Sequence, residues 1–464
     1  MPMYSEVSIP PVEQRTTEAQ AELGRAARSD LPRSAARDCT ITDRDPIALL
    51  EQQDATRLAD LVPLRYARMN VDPFRFYRGT ALLMAHDLEH QPTTGVELIS
   101  CGDAHLSNFG FYASPERNLV FDLNDFDESA PAPWEWDVKR LATSCVLAAR
   151  QSGAGRKETE TIARDVVATY RQVLRRLSQT SLLDRYYLSV RDDTLTGRLS
   201  KGNQALLARV TKKARKRTSA QAARKLLIED ADGALRFRED PPVLAHISDD
   251  LRATVEHLYR DYLETTRPDI AMLLSNCRII DVARRVVGVG SVGTRCYVLA
   301  LLDPSGAPLI LQVKEAPASV LLQHHPHHVL PRRRLLSIRI PEGRRVVTCQ
   351  QILQSVSDPF LGWLTVQGRD FYVRQFRDMK GSFDVDALDV SLLPRYARAC
   401  AAILARGHSQ SPACAWIAGY LGKSTSFDRA VAAWSLDYAD QAERDFESLH
   451  EAIASGRVPV TEFA

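Results

Sequence analysis

Apolar positions recur along the chain at helical spacing, then alternate, then return to helical spacing. From Asp45 they fall at Ile47, Leu49, Leu50 and Leu58 to Leu61, which predicts helix. Val96 to Ser100 predicts a short strand, and Phe109 to Tyr112 with Leu119 to Leu123 predicts a hairpin around Ser114-Pro115-Glu116-Arg117-Asn118. Beyond Pro131 and Pro133, Trp134, Trp136, Val138, Leu141 and Val146 restore the helical period to about Leu177, and it returns over 203–227 and 250–275. Near Arg278 the texture changes. Val286 to Gly288, Tyr297 to Leu302 and Leu309 to Lys314 predict strands, and Gly362 to Val366 pairs with Phe371 to Phe376. From Leu388 onward the spacing is helical. Asp72 to Gly79, an aromatic and basic run bracketed by Pro73 and Gly79, predicts a turn or short extended piece.

Composition changes this picture little. A chain of 464 residues suits one large two-lobed unit or two to three ordinary domains. Residues 1–44 carry few large apolar side chains and are expected to be mostly disordered, since they bury too little to offset ordering entropy. Sixty basic residues against 58 acidic ones offer no global charge for nucleic acid, which is not expected as a partner. Eight scattered cysteines without a C-x-x-C pair, and no secretory or membrane-spanning apolar run, predict a cytoplasmic protein without membrane association.

Three motifs could carry chemistry. In Gly102-Asp103-Ala104-His105-Leu106-Ser107-Asn108, the carboxylate of Asp103 could orient and deprotonate an attacking hydroxyl, while Asn108 on the same loop holds a metal ion. A tight turn uses the same two residue types for backbone reasons alone. In Asn124-Asp125-Phe126-Asp127-Glu128 the crowded carboxylates call for a cation. Asp125 is the favoured metal ligand and Asp122 competes with it; Asp137 is expected to buttress the loop. Gly288-Val289-Gly290-Ser291-Val292-Gly293 lies between strands rather than before a helix, which suits a flap over phosphates better than a dinucleotide fold. Lys314, ending the third strand, could neutralise the phosphates.

The loop from Gly102 to Asn108 resembles the H-G-D-x-H-x-x-N loop of aminoglycoside and choline phosphotransferases, with Cys101 in place of the leading His. Asp125-Phe126-Asp127 resembles their I-D-F-D segment, and Gly288 to Gly293 with Lys314 resembles the kinase nucleotide flap and its lysine. Stretches 65–79, 101–140, 288–316 and 344–382 are similar to the bacterial family called domain of unknown function 2252. This resemblance implies an α+β, two-lobed protein-kinase-like fold. In an ordinary kinase the flap and lysine precede the catalytic loop, whereas here they follow it, so the fold is expected to be circularly permuted.

Residues 45–277 would form the helical catalytic lobe, 278–380 a small antiparallel β-rich nucleotide lobe, and 381–464 the rest of the helical lobe. The resemblance implies ATP and Mg2+ as cofactors and transfer to a hydroxyl of an unidentified small molecule or protein. Asp103, Asn108 and Lys314 would be catalytic. Gly288, Gly290, Ser291, Gly293, Lys314, Arg374 and Gln375 would hold nucleotide, and Asn108 with Asp125 or Asp122 the metal. Nucleotidyl transfer, or nucleotide binding without chemistry, would use the same site. Kinases pair the lysine with a helix glutamate; the segment Arg344 to Ser355 has none, leaving Gln350 or an Asp from elsewhere to hold Lys314. Glu315 should face the other side of the strand. His324, His325, His327 and His328 predict a solvated loop, and Lys212 to Arg217 a solvated helix face. Arg78, basic among aromatics, could reach a phosphate or carboxylate.

Overall fold

The computed structural model describes residues 15–192, 201–325 and 340–461, and in these the chain is a mixed helix-and-sheet protein whose sheets are antiparallel. Strands β1 (Glu97–Ser100) and β4 (Ala130–Pro133) pair with each other, as do β2 (Phe109–Ala113) with β3 (Leu119–Leu123) and β5 (Leu227–Glu229) with β6 (Leu235–Phe237). A six-stranded sheet runs in the order β11 (Gly362–Val366), β12 (Arg369–Gln375), β10 (Pro308–Glu315), β9 (Cys296–Leu302), β8 (Arg278–Arg285), β7 (Leu244–His246).

Alternation sorts the faces of this sheet. Along β10, Leu311 and Val313 turn to one side, where they pack with Leu299, Val373 and the helix Asp249–Thr265 through Val255, Tyr259 and Tyr262. Gln312 and Lys314 turn to the other side, toward the largest core. That core joins Trp134–Gln151 and Arg156–Leu177 to the late helices Leu393–His408, Cys414–Leu421 and Ser426–Ala454. The last block of sequence thus completes the helical body begun by the first.

Several expectations shift. Residues 15–44 are ordered: Thr16 caps the helix Thr17–Ala26, which lies on Cys414–Leu421. Small residues make this possible without large apolar side chains. A Cβ on Gly24 would come within 1.9 Å of the Trp416 carbonyl oxygen, so the two backbones nearly touch. Arg28 and Arg33 then donate to the Tyr420 and Leu421 carbonyls at that helix end. Asp72 to Gly79 holds the helix Pro73–Arg78, because Asp72 accepts from the Arg75 N–H and Pro73 occupies the first turn. Strand β8 of the large sheet ends at Arg285, before Val286, so the expected strand at Val286 to Gly288 is not formed. His324 belongs to the short helix Val320–His324, and His325 is buried against Glu97 at 2.8 Å, so neither is a solvated loop residue; His327 and His328 lie outside the described residues. Lys212 and Lys213 are exposed on Lys201–Lys216, as expected.

Candidate active site

Register across the sheet sets opposite Lys314 the side chain of Tyr372, and opposite Gln312 that of Arg374. Lys314, 2% exposed, forms an ion pair with Asp127 Oδ2, and Tyr372 Oη donates to Asp127 Oδ1 at 2.9 Å. Burial disfavours the ammonium, but Asp127, Tyr372 and Asp125 outweigh it and hold Lys314 charged above its ordinary range. Glu315, one residue on, faces the opposite side and pairs with Arg295 and Arg369. Arg374 Nε donates to Gln312 Oε1 at 2.9 Å, so a second cation shares the lysine's face.

The acidic loop follows β3. Burial works against the charge of Asp125, yet Lys314, Arg374 and the Asp127 N–H hold its carboxyl below the usual carboxylate range. Glu128 differs: burial pushes it up to about 7, although Val320 N–H donates to it at 2.8 Å. Asp122 is turned elsewhere. Its Oδ2 accepts from Ser355 N at 2.8 Å and Ser355 Oγ at 2.7 Å, its Oδ1 from Leu123 N, and it is 1% exposed. These bonds make Asp122 a tie between β3 and the chain after Glu342–Leu353.

The loop after β1 turns at Gly102, whose φ of +80° excludes most side chains and whose Cβ would come within 2.4 Å of the Glu128 carbonyl oxygen. Asp137 holds this turn by accepting from the Cys101 and Gly102 N–H groups at 2.6 and 2.9 Å, and His408 Nε2 lies 2.9 Å from it. Asp103 Oδ1 accepts from Arg140 Nη2 at 2.8 Å and Nε at 3.0 Å. Burial still pushes the Asp103 carboxyl up to about 6, against Arg140 and Arg78 and with the help of Asp125. Asn108 Nδ2 donates to the Asp103 carbonyl at 2.7 Å, which commits the amide nitrogen and leaves Oδ1 as its free acceptor.

The glycine loop joins β8 to β9. Gly288 and Gly293 take positive φ, and Ser291 Oγ closes the loop on the Val287 carbonyl at 3.2 Å. Arg68 donates to the Gly288 carbonyl, Leu58 N–H to that of Gly293, and a Cβ on Gly290 would lie 3.1 Å from the Arg78 carbonyl. Beside it opens a cleft of about 340 Å³ lined by Gly288, Gln312, Arg374, Gln375, Asn124 and Lys380 among others. The Gln375 N–H is taken by Asp358 at 2.6 Å.

The structure therefore gathers Asp103, Asn108, Asp125, Lys314, Arg374 and the glycine loop around one junction and leaves Asp122 outside it. Gln350, a candidate holder of Lys314, bonds to Gln354 instead. Sequence reasoning missed four contributors as site groups: Asp127, Tyr372, Arg140 and Arg345. The alternation that places Lys314 would also have found Tyr372, its cross-strand neighbour. Arg345 donates to the Ser129, Asp127 and Pro317 carbonyls at 2.6, 2.9 and 2.9 Å, and nothing in its local sequence marks that role. Among the described residues no group of three or more His, Cys, Asp or Glu side chains converges as a protein-only metal cage would, and no helix is long and apolar enough to cross a membrane.

Fold and site together define an antiparallel mixed α/β protein with a lysine–carboxylate cluster between its sheet and its helical body. Residues 57–452 match the family described as an uncharacterized protein conserved in bacteria, domain of unknown function 2252, and the chain belongs to that family. No curated protein and no solved structure matches it.

Proposed function

We propose that the chain is an ATP- and magnesium-dependent phosphotransferase acting on a hydroxyl, with the protein-kinase-like architecture in circularly permuted order. One observation carries this: a buried lysine beside a glycine loop is paired with an Asp-Phe-Asp carboxylate 187 residues earlier in the chain. A cleft of about 340 Å³ next to that pair falls in the size range of small-ligand pockets.

Asp103, its carboxyl raised to about 6, is ionised at neutral pH and still basic enough to take a hydroxyl proton. Arg140 fixes its orientation. Asn108 Oδ1 and the Asp125 carboxylate are a fitting pair of hard oxygen donors for magnesium, which typically takes one or two protein groups and fills its shell with phosphate and water. When bound, the ion neutralises phosphate charge. Lys314 and Arg374 would add fixed positive charge, and Gly288, Gly290, Ser291 and Gly293 would cover the phosphates. Gln375 would line the nucleotide cleft. Asp103→Ala should abolish turnover while calorimetry still detects MgATP binding; full turnover in that variant would remove the assignment.

A second reading, nucleotide binding without transfer, is favoured by one feature. The helix Glu342–Leu353 brings no carboxylate to Lys314, whose partner Asp127 belongs to the metal loop itself. Binding of ATP without hydrolysis or transfer to any acceptor would select this reading. Label at the α or γ phosphorus separates nucleotidyl from phosphoryl transfer.

A further inference from the structure

Arg78 ends the helix Pro73–Arg78, half-buried beside the loop that carries Asp103. Its neighbours are paired. Arg75, one turn earlier, bridges Asp72 at 3.1 Å and Asp386 at 2.7 Å, and Arg140 binds Asp103 and the Tyr77 carbonyl. Arg78 is not: its Nε is buried without a hydrogen-bond partner, and no described carboxylate or carbonyl accepts from its guanidinium. A buried guanidinium nitrogen without a partner is costly, and such groups call for a ligand. Its charge is felt at both Asp103 and His105, which puts the guanidinium close to the carboxylate that would receive a hydroxyl proton. Burial with Arg78 and Arg140 nearby holds His105 well below its ordinary range and hence neutral, so it brings no positive charge of its own to this side. On the flap side the Arg78 carbonyl lies against Gly290, which fixes the backbone of the arginine relative to the glycine loop.

We propose that Arg78 is an anion-recognition residue of the acceptor site, so that the hydroxyl compound phosphorylated here carries a phosphate or carboxylate group of its own. Planar guanidinium donors match either oxyanion in bidentate fashion. The inference rests on the transferase reading for the hydroxyl and the phosphoryl group, but not for the anion. In the step itself the acceptor oxygen forms a bond to the γ-phosphorus of ATP, the bond from that phosphorus to the β–γ bridging oxygen breaks, ADP leaves with those electrons, and the hydroxyl proton passes to Asp103. Arg78 takes no part in bond making; it orients the acceptor through its remote anion.

Inorganic phosphate, titrated into the nucleotide-free protein by calorimetry, serves as the probe. Arg78→Gln should weaken its binding at least tenfold and Arg78→Lys should restore part of it, with unchanged melting temperatures confirming that both variants fold. Phosphate binding equal to the parent in Arg78→Gln overturns the proposal. The same oxyanion chemistry could come from the γ-phosphate of the nucleotide, so MgATP and MgADP are titrated in parallel. An unchanged ratio of their dissociation constants in Arg78→Gln supports the acceptor site, and selective loss of MgATP affinity overturns it. If the parent protein binds neither nucleotide, the transferase reading fails by itself, and the phosphate titration still decides whether Arg78 holds an anion.

Discussion

Asp103 and Glu128 are both lifted by burial, and each can be read out by a different measurement. With Asp103 as base, kcat/KM should climb about tenfold per pH unit below about 6 and level off above it, following the ionisation of a carboxyl raised to that value. A pH profile flat from 5 to 7 would exclude Asp103 as the base. Glu128 bears on stability. Between its ordinary value of 4.5 and about 7, the folded chain keeps a proton that the unfolded chain has lost, so this group's contribution declines as pH rises through that window. Glu128→Gln should flatten the melting temperature across the same window; a slope equal to the parent's would mean that Val320 N–H and Arg345 keep Glu128 ionised. The sequence favours Asp125 as a metal ligand and leaves Asp122 as its competitor. What separates them is Ser355, a residue 233 positions away that claims Asp122.

Elements with a strong period were legible: β10, β11 and the hairpin of β2 and β3 lie where alternation predicted them, within a residue or two. Those missed were short or stabilised from outside. The three-residue strand β7 is too brief to alternate, and Pro73–Arg78 depends on a cap rather than on a period. Thr17–Ala26 holds its place through closeness to another backbone, which composition does not register. Alanine at a helical glycine ordinarily gains roughly 0.5–1 kcal/mol. At Gly24 the sign should reverse, because the added methyl meets the Trp416 carbonyl, and overpacking of this kind costs about 1–3 kcal/mol. A melting temperature raised by Gly24→Ala would show that the two helices stand further apart than described.

Across the whole molecule, the motifs were readable and their meeting was not, since a pairing between distant parts of a chain leaves no mark on either. Polar ties between residues 308–375 and the helical body include Lys314 to Asp127, Ser355 to Asp122, Gln354 to the Leu123 carbonyl, and Arg345 to the Ser129 and Asp127 carbonyls. Arg345→Met strands those carbonyls and should cost about 2–4 kcal/mol. It should also split a single calorimetric transition in two, whereas one transition at the parental temperature would assign the junction to the other ties. The separation of Lys314 from Asp127 has a consequence during synthesis. At about 5–20 residues per second the ribosome exposes the carboxylates roughly 10–40 s before their counter-charge. For that interval the nascent chain carries an uncompensated anionic bend, and a fragment cut short of residue 314 keeps it permanently.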